Sequence, residues 1–326
     1  MGTENIYNRR NRTNTEKKQI QCIRKTDPAY PARLRLYPGM PGQLHVIGRL
    51  PDGKRPTVAI VGARQSTAYG NEAARYFAGE LAKAGVQVIS GMAWGIDGMA
   101  HMGALEAGGD TFAVLGCGVD VCYPKGHHRL YERIISCGGV LSEQPNGREP
   151  MPGFFPARNR IISALSDLVL VVEAREKSGA LITADFALEQ GKDVYAVPGR
   201  IGDPLSLGCL NLIKQGAGLA DSPETLLHAL GISRIRETDE ETLTKILLAK
   251  DENIVYSWIR LQPVSLEQLV FKTGFPVPKV LSILVGLELK GCIREVRKNE
   301  YIRTDLRITN GKISGDSGVT CKGEDN

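Results

Sequence analysis

The chain has no Cys-x-x-Cys pair. Its seven cysteines, Cys22, Cys117, Cys122, Cys137, Cys209, Cys292 and Cys321, are odd in number and scattered, so neither a zinc ribbon nor a disulfide framework is supported. Reduced thiols in a cytoplasm are the expectation. No apolar run approaches the length of a membrane span. The N-terminus is polar and basic without an apolar segment, so no secretory signal is expected. A Walker-type P-loop is missing. The Gly-x-Gly-x-x-Gly fingerprint is missing too: Gly62-Ala63-Arg64 lacks its later glycines, and the second strand ends at Ser90-Gly91 rather than at an acid that would hold a ribose. A dinucleotide cofactor is therefore not expected, nor is any other cofactor or metal. Charge is not lopsided. Lys and Arg outnumber Asp and Glu by 41 to 36, a net +5, which suits nucleic acid without selecting it.

What is present is an ordinary soluble composition, 42% hydrophobic and 24% charged, on a chain long enough for one large core and a second module. Residues 1–19 are polar and aperiodic and are expected to be a disordered tail. Residues 20–56 carry prolines 28, 31, 38, 41 and 51 and read as an irregular lead-in packed on the main domain. From Thr57 to about 232, strand candidates (Thr57–Val61, Val86–Ser90, Thr111–Leu115, Gly139–Leu141, Leu168–Glu173, Val194–Val197) alternate with helical patterns. Most of the strands are near-continuous apolar runs, as strands covered on both faces are. The alternation predicts an α/β, Rossmann-like, doubly wound and mainly parallel sheet. Residues 233–250 read as a charged linker. Residues 251–304 read as three helices and a hairpin, the winged-helix pattern, with a capping box from Ser265 to Gln268. Residues 305–326 read as a second disordered tail.

The stretch Thr57–Gly70 is the centre of this reading. A buried strand runs into Gly62, then into Arg64 in a polar loop, then into a helix starting near Asn71. Loops at the carboxyl ends of parallel strands hold ligands, and helix N-termini attract anions. Arg64 adds a bidentate phosphate donor. Other strand ends carry glycines as well: Ser90-Gly91, Gly116-Cys117-Gly118, the loop from Glu173 through Lys177 and Ser178 to Gly179, and Pro198-Gly199-Arg200. The stretch Phe154-Phe155-Pro156-Ala157-Arg158-Asn159-Arg160 sets aromatics beside arginines, which suits single-stranded nucleic acid. The opposing reading makes one phenylalanine a core residue and one arginine an internal ion-pair partner. Asp97 and His101 are four apart on one helix, but no third metal ligand is evident. Cys117 in its glycine turn reads as a structural thiol. Glu173 is either a general acid or base or an anchor for the loop that follows it.

Six motifs in order resemble the DprA/Smf family of DNA-processing proteins. They are Val-Gly-Ala-Arg at 61–64, Ser-Gly-Met-Ala-Trp-Gly-Ile-Asp at 90–97, and Gly-Cys-Gly-Val-Asp at 116–120 with Tyr123-Pro124. Phe-Pro-Ala-Arg-Asn-Arg-Ile-Ile at 155–162, Ser-Gly-Ala-Leu-Ile-Thr-Ala at 178–184 and Ala-Val-Pro-Gly at 196–199 complete the set. The resemblance implies a non-catalytic binder of single-stranded DNA, dimeric, that delivers strands to the RecA recombinase during natural transformation. It implies that Gly62, Ala63, Arg64, Phe155, Arg158, Asn159, Lys177 and Ser178 are DNA-binding residues; Thr67 and Gly91, in the same strand-end loops, are further DNA-binding candidates. Two departures stand out. Ala63 replaces a serine common in the family, and Leu210-Asn211 displaces an asparagine usual two residues after Gly208. Two other classes compete: a Rossmann-like nucleotide hydrolase using Glu173, and a duplex-DNA regulator acting through the winged helix. The third helix of that module has only Lys279 and Lys290 as cations, thin for a groove reader, which favours a protein-contact role.

Overall fold

The computed structural model describes residues 19–232, 249–259 and 263–303. The expected tails and most of the expected linker lie outside the described residues. Nine strands form one sheet: β1 (Gln21–Arg24), β2 (Gln43–Gly48), β3 (Thr57–Val61), β4 (Gln87–Ser90), β5 (Thr111–Val114), β6 (Gly139–Ser142), β7 (Leu168–Val171), β8 (Asp193–Ala196) and β9 (Gly218–Leu219). Their spatial order is β1-β2-β6-β5-β4-β3-β7-β8-β9. From β6 to β9 all neighbours are parallel. β1 and β2 add an antiparallel edge.

That edge corrects the expected irregular lead-in. Residues 20–56 supply two strands of the main sheet and a short helix, α1 (Ala32–Arg35). Prolines punctuate the segment between the strands but fall outside them, so His45–Gly48 is free to pair with β6.

The helices are α2 (Ala68–Lys83), α3 (Ile96–Glu106), α4 (His128–Cys137), α5 (Phe154–Leu165), α6 (Gly179–Glu189), α7 (Leu207–Lys214) and α8 (Pro223–Ala229). Strand period two divides them into layers. Ala59 and Val61 of β3 pack with α1, α5, α6 and α7 on one face. Val58 and Ile60 pack with α2, α3 and α8 on the other. All five residues of β3 are buried, hence their unbroken apolar run.

The chain after β3 winds towards β6, then returns and winds from β7 towards β9. The reversal lies between β3 and β7, so the loops leaving those two strands diverge and open a crevice, the usual ligand position in such sheets.

A second unit holds α9 (Lys250–Trp258), β10 (Val264–Ser265), α10 (Leu266–Thr273), α11 (Val277–Leu289), β11 (Ile293–Arg297) and β12 (Glu300–Arg303), with sheet order β10-β12-β11. It is a winged helix with its own core, including Val255, Leu269, Val280, Leu284 and Ile293. The Ser265–Gln268 capping box is formed, and Gly274 closes α10 in the left-handed region at φ 68°. No single helix among the described residues is long and apolar enough to cross a membrane.

Candidate nucleic-acid interface

The loop leaving β3 is clamped at its root. A side chain at Gly62 would collide with Ile96 and the Glu173 carbonyl. The Ala63 amide donates to that carbonyl at 2.7 Å, and the Ile96 amide donates to Ala63 O at 3.2 Å. Ala63 is itself buried. Arg64 then emerges exposed, its guanidinium 5.1 Å from the centroid of the Phe155 ring. Among the described residues, no protein acceptor meets the amides of Arg64 and Gln65. An exposed guanidinium and two unpaired amides in one turn form an anion cradle.

The N-terminus of α2 does not contribute to it, contrary to expectation. Glu173 folds its carboxylate onto that helix end and accepts from the Thr67 amide at 2.9 Å and the Thr67 hydroxyl at 2.5 Å. The Thr67 oxygen in turn accepts from the Gly70 amide at 3.0 Å. Gly70 leaves the room: a side chain there would overlap the carboxylate. The helix dipole already holds an anion, and that anion is the chain's own. Thr67 is therefore the N-cap of α2. Glu173 is the anchor of its two readings; burial pushes its pKa up, opposed by the Thr67 hydrogen bonds.

Arg158 and Gly91 sit at the floor of the crevice, and Arg158 is among the residues that line it. Arg158 is only 4% exposed. Its Nη1 donates to Gly91 O at 2.9 Å and to Val114 O, so it ties the carboxyl ends of β4 and β5 together from beneath. Arg160 binds Glu143 at 2.6 Å. Both arginines of the Phe155–Arg160 stretch are thus internal, where one was expected to be. The Gly91 amide donates to Asp97 Oδ2 at 3.1 Å, and the Ala93 amide joins it at 3.4 Å. Burial pushes the Asp97 carboxyl up while the Arg158 charge pulls it down. A side chain at Gly91 would strike both of these groups. His101 pairs through Nδ1 with Thr111 Oγ1 at 2.7 Å. Burial raises the Cys117 thiol to about 12, consistent with its structural reading.

On the other side of the crevice the loop leaving β7 reaches α6. Lys177 is exposed. Ser178 caps the helix, its hydroxyl accepting from the Ala180 amide at 3.3 Å. Unlike α2, this helix end is open: among the described residues, the amides of Lys177, Ser178 and Gly179 meet no protein acceptor. Asn159 donates to Gly179 O at 3.1 Å and accepts from Arg158 Nε at 3.2 Å; it braces the loop. Phe155 lies between the two donor sets. α5 begins at Phe154, four residues before the expected start at Arg158. Pro156 is tolerated because first-turn amides have no intrahelical partner anyway. Phe154 turns away under Arg148.

The result is a groove of about 690 Å³ whose walls include Arg64, Phe155, Asn159, Lys177 and Ser178. Gln65, Arg175 and Tyr123 also line it and were missed. Arg175 had a visible signal, since it lies in the same post-strand loop as Lys177. Tyr123 follows one of the ordered motifs in sequence, but only the tertiary fold brings it to Phe155. Asn211 is exposed in an adjoining hollow with Lys177 and Ser178, so its one-residue displacement leaves it near that loop.

The family model described as DNA recombination-mediator protein A matches residues 21–231, and the DprA winged helix domain matches residues 239–297. This chain belongs to the DprA/Smf family. Protein Smf of Escherichia coli is 41% identical over 282 residues, covering 84% of this chain and 75% of that protein. Protein Smf of Synechocystis is 35% identical over 342 residues, covering 92% and 86%. Two solved structures share the fold. DprA of Streptococcus pneumoniae has a TM-score of 0.60 at 40% identity, covering 65% of this chain and 74% of that one. DprA of Helicobacter pylori has a TM-score of 0.59 at 30% identity, covering 66% and 96%, and its structure concerns the single-stranded DNA binding mode of that protein. The groove lies within the part matched by the first family model.

Proposed function

We propose that this DprA/Smf protein binds single-stranded DNA without sequence preference in the groove between the β3 and β7 loops, without catalysis, and passes the strand to the RecA recombinase, working as a dimer. One observation carries the reading. Two sets of unpaired donors, Arg64 with the Arg64–Gln65 amides and Lys177 with the open end of α6, flank one aromatic ring, Phe155. Phosphates suit the first two and a base suits the third. No group in this arrangement distinguishes one base from another. The Helicobacter relative's strand-binding mode supports the ligand, and the mediator family supports the recombinase. The protonic chemistry of a hydrolase is disfavoured because the Glu173 carboxylate is occupied at α2.

The winged helix is assigned no strand in this proposal. Lys279 pairs with Asp251 at 2.7 Å and Lys290 with Glu252 at 2.7 Å, while Val277, Leu281, Val285 and Leu289 are exposed along α11. Neutralised cations beside apolar side chains favour a protein contact.

Titration of labelled oligo-dT over a range of salt tests the reading, with a log–log slope of about −0.7 per phosphate engaged. Addition of RecA should shorten the lag of filament formation on the bound strand. Salt-independent binding refutes the phosphate groove. An unchanged lag refutes the delivery step. Release of free base from a nucleoside monophosphate, lost in Glu173→Gln, would restore the hydrolase.

A further inference from the structure

Beside the groove, two large aromatic rings stand out in solvent. Trp94 is 52% exposed and Tyr123 39%. Burying rings of this size is normally favourable, so their outward position calls for a physical reason. Trp94 is held beside the Arg64 loop by its neighbour. Gly95, at φ 74°, runs against the carbonyls of Ala63 and Arg64, where a side chain would collide. The indole meets the His127 ring edge to face, with centroids 4.2 Å apart, and covers Gly126. His127 Nδ1 lies 3.1 Å from Met92 O, which ties this platform to the end of β4. The Tyr123 ring is 5.4 Å from that of Phe155. Lys125, between Pro124 and Gly126, is exposed. A hollow of about 30 Å³ separates Trp94, Tyr123, Phe155 and Arg64. That is room for about one water, so no base enters it, and any base at this place must lie on the outer faces of the rings.

We infer that a strand leaving the groove past Phe155 continues over a ledge of Tyr123 and Trp94, its bases stacked on these two rings and a phosphate beside Lys125. The inference rests on the reading of the groove as a single-strand site. Continuity selects nucleobases as the occupant, because Arg64, Tyr123 and Phe155 line both the groove and the hollow under the ledge. A cation alternating with aromatic rings is also what a single strand requires.

The full chain has two tryptophans, so Trp258→Phe leaves Trp94 as the sole reporter. Oligo-dT should quench its emission. Trp94→Ala in the parent should weaken oligo-dT binding about tenfold, with the salt slope unchanged because no phosphate contact is lost. Trp94→Phe should bind nearly as the parent does. An abasic strand of equal length should bind the parent and Trp94→Ala alike. Absence of quenching, or undiminished affinity in Trp94→Ala, overturns the ledge while leaving the groove intact, provided that Arg64→Ala still weakens binding. An equal loss on the abasic strand shows that Trp94 only shapes the loop and also overturns the ledge. If the parent does not bind oligo-dT, the groove and the ledge fall together.

Discussion

Arg64→Ala separates binding from folding more cleanly than any other change in the groove. The side chain is exposed and packs on the face of Phe155, 5.1 Å to the centroid. An exposed cation–π contact contributes about 0.5–1 kcal/mol, so the variant should unfold at nearly the parent's denaturant midpoint. The strand contact is larger. A charge-assisted bond to phosphate is worth about 1.5–3 kcal/mol, which corresponds to roughly 10- to 150-fold in Kd. Fluorescence anisotropy of labelled oligo-dT, repeated at several salt concentrations, reads both the affinity and the slope. The slope should shrink by about 0.7 for one lost phosphate contact. Arg64→Lys should recover the slope but only part of the affinity, since an ammonium cannot fork onto two oxygens. Unchanged affinity in Arg64→Ala would refute the groove. A large loss of stability would show that Arg64 supports the loop instead.

Thr67→Ala should behave in the opposite way. Its hydroxyl bridges Glu173 and the Gly70 amide, so thermal melting should show a loss of about 1 kcal/mol, with oligo-dT affinity within about twofold of the parent. Ala63→Ser should tighten oligo-dT binding about three- to tenfold if the added hydroxyl reaches a phosphate; weaker or equal binding in the same titration would mean that buried Ala63 keeps the position out of reach. His101 gives a pH signature. Burial pulls its pKa from 6.5 to about 3, so the folded chain keeps it neutral while the unfolded chain takes up a proton below about 6.5. Its stability contribution is intact above that pH and is lost as pH falls towards about 3, by up to about 2 kcal/mol at pH 5. Urea unfolding at pH 7 and pH 5 should show this loss in the parent and a smaller one in His101→Gln.

Strands β3 to β7 were legible because each is buried on both faces, whereas the two-residue β9 was not. Thr57–Val61 was bounded correctly from its unbroken β-favouring run, and α3 and α6 to within a residue. The edge strands β1 and β2 were not legible. Their short runs are set apart by a proline-rich segment and become strands only because β6 offers β2 a free edge to pair with. The site divides in the same way. Arg64, Phe155, Lys177 and Ser178 were readable, because the glycines and cations of strand-end loops are local chemistry. Nothing local distinguishes Arg158 from Arg64, yet one lies under the groove bracing β4 and β5 while the other projects into it. The two helix N-termini show the same limit: α2 and α6 have similar caps in sequence, but Glu173 reaches one of them and leaves the other open.

The sequence by itself determined which segments must be buried, where the chain turns, and that arginine, lysine and a phenylalanine gather at the ends of strands, because apolar runs and glycines act over a few residues. Only the tertiary structure decided which donors remain free for a ligand. That depends on where distant carboxylates and carbonyls come to rest, and on a reversal of winding between β3 and β7 that sets two loops more than a hundred residues apart on either side of one ring.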